Sequence, residues 1–502
     1  MGKAVLICLL LLHGICYSSS EVDVNDYHEF TTNGPEETTV TTVLECNTQP
    51  GSPVEESTSD SWSDLYPWAT SPSPTTTTET TTPEGEDNTG TGEAEEKSSD
   101  VDEQDNEDQD SECDENTPPE EIQKFSQAVM AFSIDLLKQA DPEFKKPNLI
   151  ISPFSVALGL LQLSLGAGEK TQKILLETLH MQSVKCLHST LNTVRHDLTE
   201  SVMKIANRMY LKKGFQIKKD FAKKAEKWYG AKPHNLAGSK EQNLRLINKW
   251  VNDVTEGMIP KFLSEIPANM VLMLLNAMYF KGVWRNKFDP SMTVQDVFYI
   301  NDDLTVPVDM MTAQKFPLRW YIHEHLDCQV VKLPFKGNTS FVVLMPQQFQ
   351  WNLSKILDNF NLTDVYNRIP RPKQTLFRMP RLNLDFKLEL LNPLSNLGLG
   401  HLFSNPDLSG ISDEQLFVSS VQHQSNLDLN EEGAEAAAAT AVITSRSLTS
   451  YSINRPFLFF LFEDSVELPL FLGYVRNPSP DSFYKKKELN FQNSEGKGSI
   501  PK

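Results

Sequence analysis

Residue types that carry out catalysis or bind metals occur in this 502-residue chain, but not at the spacing those chemistries need. His323-Glu-His325 is a loose pair that does not match the HExxH pattern of zinc peptidases. No GxSxG elbow for a serine nucleophile and no CxxC pair for zinc is present. We therefore expect no catalytic residue, no metal and no cofactor, and predict that the chain is not an enzyme.

A different kind of chemistry is indicated by Glu431 to Thr440, which reads Glu-Glu-Gly-Ala-Glu-Ala-Ala-Ala-Ala-Thr. Four consecutive alanines favour a helix, yet this run has no amphipathic face and lies between strand-like segments. A segment that must pass between two existing strands needs small side chains. It also needs no proline, because each backbone N–H must join a ladder. Residues 434–446 contain none, so the run is suited to entering a sheet.

Apolar periodicity indicates the elements that must hold this segment. Helices are predicted at Phe125–Leu137, Ser155–Leu165, Glu169–Leu179 and Leu244–Val254. Strands are predicted at Leu149–Ile151, Val271–Phe280, Cys328–Leu333, Phe341–Met345, Phe457–Phe462 and Leu468–Val475. Helices first and strands later predict an α+β domain.

Composition divides the chain into four parts, with an expected secretory signal peptide at 1–18, an arm at 19–120, a folded domain at 121–480 and a tail at 481–502. Residues 21–120 carry 29 Asp and Glu against one basic residue, Lys97. The net charge there is −28 and that of the whole chain −21, so the rest sums to +7. The acidic Thr/Ser/Pro-rich arm buries too little apolar surface to fold.

An exported, extracellular protein is predicted, because the apolar run of the leader is too short to span a bilayer. We expect no membrane or nucleic-acid partner and a monomer. Three sequons mark predicted N-glycosylation sites at Asn338, Asn352 and Asn361.

Four cysteines remain after the leader: Cys46, Cys113, Cys186 and Cys328. They allow three full pairings. Cys328 lies in an apolar strand and is expected to be a buried free thiol.

Five motifs in order resemble the serpin family across residues 121–480. They are Asn148–Ser155, Ile247–Thr255, Asn276–Trp284, Arg455–Phe459 and Phe471–Pro478. The resemblance implies the serpin fold, with helices packed on a large central mixed β-sheet plus smaller sheets, and an exposed reactive-centre loop.

In such a fold the alanine run is the hinge of the loop. The resemblance implies a reactive bond between Arg446 and Ser447, which a trypsin-like serine protease attacks before it is trapped as an acyl complex. The loop from Gly433 to Arg446 is one residue shorter than in most inhibitory serpins. Counted with their usual spacing, the residue before the cleaved bond would be Ser447. Related serpins share the shorter spacing, which favours Arg446. The implied hinge residues are Glu431, Gly433, Ala434, Glu435, Ala436, Ala437, Ala438, Ala439 and Thr440.

The resemblance also implies a polar "shutter" beneath the sheet, formed by Ser152, Ser155, Asn276 and His423, and a disulfide between Cys113 and Cys186.

Within the family, the chain most resembles the serpins that inhibit plasmin in fibrinolysis, through Phe316–Trp320, Ser340–Pro346, Val421–Ser425 and Ser452–Phe460. The implied partners are plasmin and plasminogen, other trypsin-like proteases and fibrin, for which Gln49 and Gln104 are candidate crosslinking sites. Lysines of the tail are candidates for binding kringle modules: Lys485, Lys486, Lys487, Lys497 and Lys502.

Two alternatives stay open. The serpins that inhibit complement and contact-system proteases share the Gln422-His-Gln element and a mucin-like arm. A non-inhibitory serpin, acting as a carrier or chaperone, is the second.

Overall fold

The described part of the chain, residues 117–199, 203–349, 352–433 and 449–486 of a computed structural model, begins with the helix that the apolar spacing predicts. Its helices are α1 Pro119–Ala140, α2 Pro153–Ser164, α3 Glu169–Thr178, α4 Leu187–Thr199, α5 Lys219–Tyr229, α6 Lys240–Val254, α7 Leu353–Asp358, α8 Leu362–Asn367 and α9 Leu391–Asn396. Short 3-10 helices lie at Pro290–Met292 and Leu399–Phe403.

The strands are β1 Asn148–Ile151, β2 Met203–Lys212, β3 His234–Leu236, β4 Leu272–Lys281, β5 Val294–Tyr299, β6 Leu304–His323, β7 Cys328–Pro334, β8 Thr339–Pro346, β9 Lys373–Pro380, β10 Leu382–Glu389, β11 Val418–Leu429, β12 Ser450–Ser452, β13 Phe457–Glu463, β14 Leu468–Val475 and β15 Lys485–Lys486.

Local sequence explains where several helices begin and end. Ser152 caps α2 by accepting a hydrogen bond from the backbone N–H of Ser155, and Pro153 occupies the first helical turn. All twelve residues of α2 are buried, as expected of a helix that is apolar all round. Helix α5 ends at Gly230, whose positive φ of 64° closes the last turn.

Two sheets organise the fold, and both are mixed. The five-stranded sheet has the order β10-β11-β4-β2-β3; the β11/β4 and β2/β3 pairs are parallel and the other two are antiparallel. The ten-stranded sheet runs β1-β14-β13-β8-β7-β6-β9-β12, with β5 and β15 pairing to β6. The predicted class of helices on mixed sheets is confirmed.

All four predicted helices and all six predicted strands are present, with small shifts at their ends. The simple order of helices before strands is incomplete, because β2 interrupts the helical half. Helices α7, α8 and α9 likewise interrupt the strand-rich half. None of the described helices combines the length and apolar character needed to cross a membrane.

Candidate functional site: a sheet that can be opened

The central strand of the five-stranded sheet, β4, has β11 as a parallel neighbour. Their register runs from Val418 opposite Leu272 to Asp428 opposite Lys281. The chain leaves β11 at Leu429 and enters the alanine run directly afterwards. A segment that turned back between these strands would run antiparallel to both. It would replace one parallel ladder with two antiparallel ladders, which are slightly more stable per residue.

Backbone contacts with Trp284 hold the chain where it leaves β11. The indole Nε1 of Trp284 donates to the carbonyl of Asn430 at 2.7 Å, and its backbone N–H donates to the carbonyl of Glu432 at 3.0 Å. Trp284 is fully buried and stacks on Phe335, with ring centroids 4.3 Å apart. The exit from β11 is therefore anchored to a rigid aromatic cluster.

Glu431 adds an electrostatic anchor at the same place. Its Oε1 accepts hydrogen bonds from Arg381 Nη2 at 2.5 Å and from Thr293 Oγ1 at 2.6 Å. Burial opposes ionisation of this carboxyl, but the hydrogen bonds from Arg381 and Thr293 outweigh it and hold the pKa of Glu431 below its usual value. The charged form of Glu431 is thus the one that fits this site.

Gly433 is the last described residue before the alanine run, and the space around it excludes a side chain. It forms an isolated bridge with Trp284. A Cβ at this position would lie 2.5 Å from the Cα of Lys287, and backbone cannot yield cheaply. The glycine is required by this close approach, which explains its place in the predicted hinge.

The four predicted shutter residues do lie together, and all are fully buried. His423 lies opposite Asn276 in the β11/β4 register. His423 Nε2 accepts from the backbone N–H of Ser152 at 3.1 Å, and Ser155 Oγ donates to the carbonyl of Ser152 at 3.0 Å. The cluster connects β4 and β11 to the beginning of α2.

The charge state of His423 follows from these contacts. A backbone N–H can only donate, so Nε2 is an acceptor and the ring proton of the neutral form is on Nδ1. Ser425 Oγ also lies 2.8 Å from Nε2. Burial lowers the pKa of His423 to about 3, so the imidazole is neutral at physiological pH.

Helix α2 contacts Asn276 as well, through Gly159. A Cβ on Gly159 would lie 2.9 Å from Asn276 Oδ1, so a side chain there would displace the Asn276 amide. A strand inserted between β4 and β11 would move Asn276 and His423 apart by about 4.8 Å. At least one of their contacts with α2 must then change. The role of these four residues as a shutter that controls opening of the sheet stays a prediction.

Most of the predicted loop lies outside the described residues: Ala434 to Thr440, Arg446 and Ser447. Beyond the loop, the carbonyl of Thr449 accepts from the backbone N–H of Leu376 at 3.0 Å, and β12 pairs parallel with β9. Both ends of the segment are therefore attached to sheets. The reactive bond itself stays a prediction.

The two described cysteines differ in state. Cys186 is disulfide-bonded, whereas Cys328 is free and buried. Burial raises the pKa of the Cys328 thiol to about 12, so it is unreactive, and its predicted free state is confirmed. The partner of Cys186 lies outside the described residues, as Cys113 does, and the pairing of these two stays a prediction.

The three sequon asparagines are exposed. Asn352 and Asn361 cap α7 and α8, with Oδ1 accepting from the backbone N–H groups of Lys355 and Asp364 at 3.0 and 2.9 Å. A glycan attaches to Nδ2, so it leaves these caps intact. Glycosylation at Asn338, Asn352 and Asn361 stays a prediction.

The tail begins beside the chain that follows the loop. Lys485 pairs with Thr305, which pairs with Tyr299. The backbone N–H of Tyr299 donates to the carbonyl of Asn454 at 2.9 Å. The start of the tail thus lies about 15 Å from Asn454, at roughly one strand spacing per step. The tail lysines beyond Lys486 lie outside the described residues: Lys487, Lys497 and Lys502.

The sequence did not predict the contacts of Glu431 with Arg381 and Thr293. It also did not predict that Trp284 holds the chain where it leaves β11. Arg381 follows β9 and is 50 residues from Glu431, and no local spacing signals that pair. The sequence did give a reason to look for a cation near Glu431. A carboxylate beside an alanine run that enters a sheet needs a counter-charge.

Comparison with known proteins agrees with this geometry. The family profile "Serpin (serine protease inhibitor)" matches residues 127–478. This chain belongs to the serpin family. It is 48% identical over 378 residues to alpha-2-antiplasmin of Bos taurus and 46% identical over 377 residues to that of Mus musculus, covering 75% of this chain and 77% of each relative.

Solved structures share the fold. Mouse protein-Z dependent protease inhibitor matches with a TM-score of 0.64 at 25% identity, over 72% of this chain and 100% of that chain. Human thyroxine-binding globulin matches with a TM-score of 0.65 at 24% identity, over 71% and 99%; at that identity the likeness concerns the fold alone.

Proposed function

We propose that this serpin is a secreted suicide substrate that traps plasmin through the bond between Arg446 and Ser447. The observation that carries the trapping mechanism is the parallel pair of β4 and β11, followed at once by a proline-free run of small residues. The chain acts on the protease and turns over no substrate of its own.

The chemistry begins as ordinary proteolysis. The carboxylate in the specificity pocket of a trypsin-like protease pairs with the guanidinium of Arg446. The protease serine Oγ bonds to the carbonyl carbon of Arg446, the peptide bond to Ser447 breaks, and the Ser447 nitrogen takes the proton and leaves. An acyl ester joins the two proteins at this stage.

Insertion then prevents the hydrolysis that would release the protease. Residues 434–446 are thirteen in number, and at about 3.3 Å each they carry the tethered protease roughly 40 Å. With about 1 kcal/mol net for each new ladder hydrogen bond, the gain is on the order of 10 kcal/mol. That energy is available to distort the protease active site while the ester is intact.

Plasmin is supported as the target by two independent features. The curated relatives named alpha-2-antiplasmin cover three quarters of this chain at 46–48% identity. The lysine-bearing tail also begins about 15 Å from Asn454, which lies in the chain after the loop. One protease with kringle modules can therefore engage the reactive bond and the tail together, which raises the effective concentration of the second contact.

A denaturing gel after incubation with plasmin tests the proposal. We expect a band at the summed mass of the inhibitor up to Arg446 and the protease chain that carries the catalytic serine, because cleavage releases residues 447–502. This band should be lost in Arg446→Ala and retained in the neighbouring control Ser445→Ala. Cleavage without a stable complex would instead make this a substrate or a non-inhibitory serpin. Faster association with complement or contact-system proteases than with plasmin would move the target to those proteases.

A further inference from the structure

Exposed lysines are concentrated where β2 leads into α5. Seven lysines occur between residues 212 and 227 against two acids, Asp220 and Glu226. Among the described residues, four exposed lysines of this region make no ion pair, and we call them the α5 lysine surface: Lys212, Lys213, Lys219 and Lys223. Such a surface attracts a polyanion.

Helix α5 presents two of these lysines by its amphipathic spacing, and Lys212 and Lys213 lie at the end of β2 and directly after it. Lys219 and Lys223 are one turn apart, while Phe221 and Ala225 are buried against the core. Neighbouring lysines already have acidic partners, since Lys218 pairs with Asp413 at 2.7 Å and the nearby Lys232 pairs with Glu226 at 2.7 Å.

The acidic arm joins the domain on the neighbouring helix, α4. Thr117 Oγ1 lies 3.3 Å from both Ser189 Oγ and Thr193 Oγ1 of α4. Cys186, directly before α4, is disulfide-bonded. Because Cys328 is free and all other cysteines precede Thr117, this disulfide attaches the arm to the start of α4.

Helices α4 and α5 contact each other at the end of α5. His188 Nδ1 lies 2.8 Å from the hydroxyl of Tyr229. Arg195 packs so closely on Gly230 that a Cβ there would lie 2.9 Å from its Nη1. The two attachments of the arm are thus on the helix that packs against α5, which carries Lys219 and Lys223.

The acidic segment of the arm has the length and the charge needed to bind the α5 lysine surface. Asp102–Glu115 contains nine carboxylates and no basic residue in 14 residues, and it can extend to about 48 Å. Helix α5 is only about 16 Å long, so the segment is long enough to span Lys219 and Lys223. The segment repels itself strongly, and pairing with lysines relieves that repulsion. Its tether also gives it an effective concentration in the millimolar range.

We propose that Asp102–Glu115 docks on the α5 lysine surface and shields it from external polyanions. The contact is electrostatic and exposed, so it weakens as salt shortens the Debye length from about 8 Å at physiological ionic strength to about 3 Å at 1 M.

Zero-length carbodiimide crosslinking of the full secreted chain tests the contact, because it joins only carboxyls and amines that touch. Mass spectrometry should find Asp102–Glu115 joined mainly to the α5 lysine surface, with yields falling about tenfold between 0.05 and 0.5 M salt. Lys219→Gln with Lys223→Gln should reduce the yield several-fold. The matched pair Lys170→Gln with Lys173→Gln, on exposed lysines of α3, should leave it unchanged.

A heparin column supplies a polyanion probe for the shielding. Replacing the nine carboxylates by their amides should uncover the surface and shift elution to higher salt, and the Lys219/Lys223 replacement should remove that shift. Crosslinks spread equally over α3 and α5 lysines, or unchanged elution of the amide variant, would overturn the proposal. Neither readout depends on protease inhibition, so the outcome is separate from that of the proposed function.

Discussion

Arg381 donates from Nη2 to Oε1 of Glu431 at 2.5 Å, which ties the chain leaving β11 to the chain leaving β9. The Glu431 side chain is only 7% exposed, so its charge depends on this partner. One further acidic group is near, since Arg381 Nη1 lies 3.4 Å from Asp309 Oδ2. The position of the chain that leads into the predicted hinge is therefore set partly by one buried carboxylate.

Neutralising that carboxylate should loosen the hinge. We expect Glu431→Gln to lower the thermal unfolding midpoint at a fixed scan rate, by the equivalent of about 1–3 kcal/mol, because a charge-assisted hydrogen bond is lost. The matched control is Glu432→Gln next to it. Glu432 pairs with Lys281 at 2.8 Å, but both side chains are about half exposed, and the loss there should be under about 1 kcal/mol. Equal losses would show that the Arg381 contact is not special.

Gly433 should tolerate no side chain. We expect Gly433→Ala to destabilise the protein by about 1–3 kcal/mol, because the added Cβ meets the backbone of Lys287. Gly400→Ala is the matched control, since a Cβ there has its nearest neighbour at 4.0 Å. Thermal unfolding of both variants checks the comparison, and an unchanged Gly433→Ala midpoint would mean that the exit from β11 is not tightly held.

Much of this architecture was predictable, because buried elements leave strong patterns. Helix α2 and strand β14 are buried throughout and mostly apolar, and they were predicted within a few residues. Strand β11 was missed, because most of its buried positions from 420 to 425 are polar, including Ser420, His423 and Gln424, and do not form an apolar run.

Contacts between residues distant in sequence were the other feature that the sequence did not predict. The shutter residues were predicted by resemblance, yet the contact between Arg381 and Glu431 depends on the pairing of β10 with β11, in which Leu382 lies opposite Leu429. No local propensity encodes that relationship, since it arises only from tertiary packing.

Proline in the hinge should convert the inhibitor into a substrate. Ala438→Pro removes one backbone N–H and its ring obstructs a ladder, so insertion should stall after cleavage. We expect the number of inhibitor molecules consumed per trapped protease to rise about tenfold. Ala438→Gly keeps the N–H and should stay close to the wild type. Efficient trapping by the proline variant would argue against insertion of this segment.

The tail should matter for plasmin and not for a protease without kringles. Deleting residues 487–502 removes Lys487, Lys497 and Lys502 and leaves the strand that pairs with β6 intact. We expect association with plasmin to slow by about tenfold, in line with loss of a tethered second contact, while association with trypsin is unchanged. An equal effect on both proteases, or none on plasmin, would remove the kringle role.

His423 should make the closed sheet sensitive to acid. Its folded pKa of about 3 lies below the ordinary 6.5, so as the pH falls below 6.5 the unfolded chain takes up a proton that the folded chain does not. The stability that the neutral ring provides is present above pH 6.5 and is lost progressively as the pH falls toward 3. The slope of the unfolding free energy against pH reaches at most about 1.4 kcal/mol per pH unit.

Thermal midpoints between pH 7.5 and 5 should therefore fall more steeply for the wild type than for His423→Gln, which cannot titrate. Ser425→Ala is the control, because it removes the hydroxyl near Nε2 and keeps the imidazole, so it should lose stability at every pH while retaining the wild-type slope. Parallel profiles for the wild type and His423→Gln would mean that another group causes the acid sensitivity.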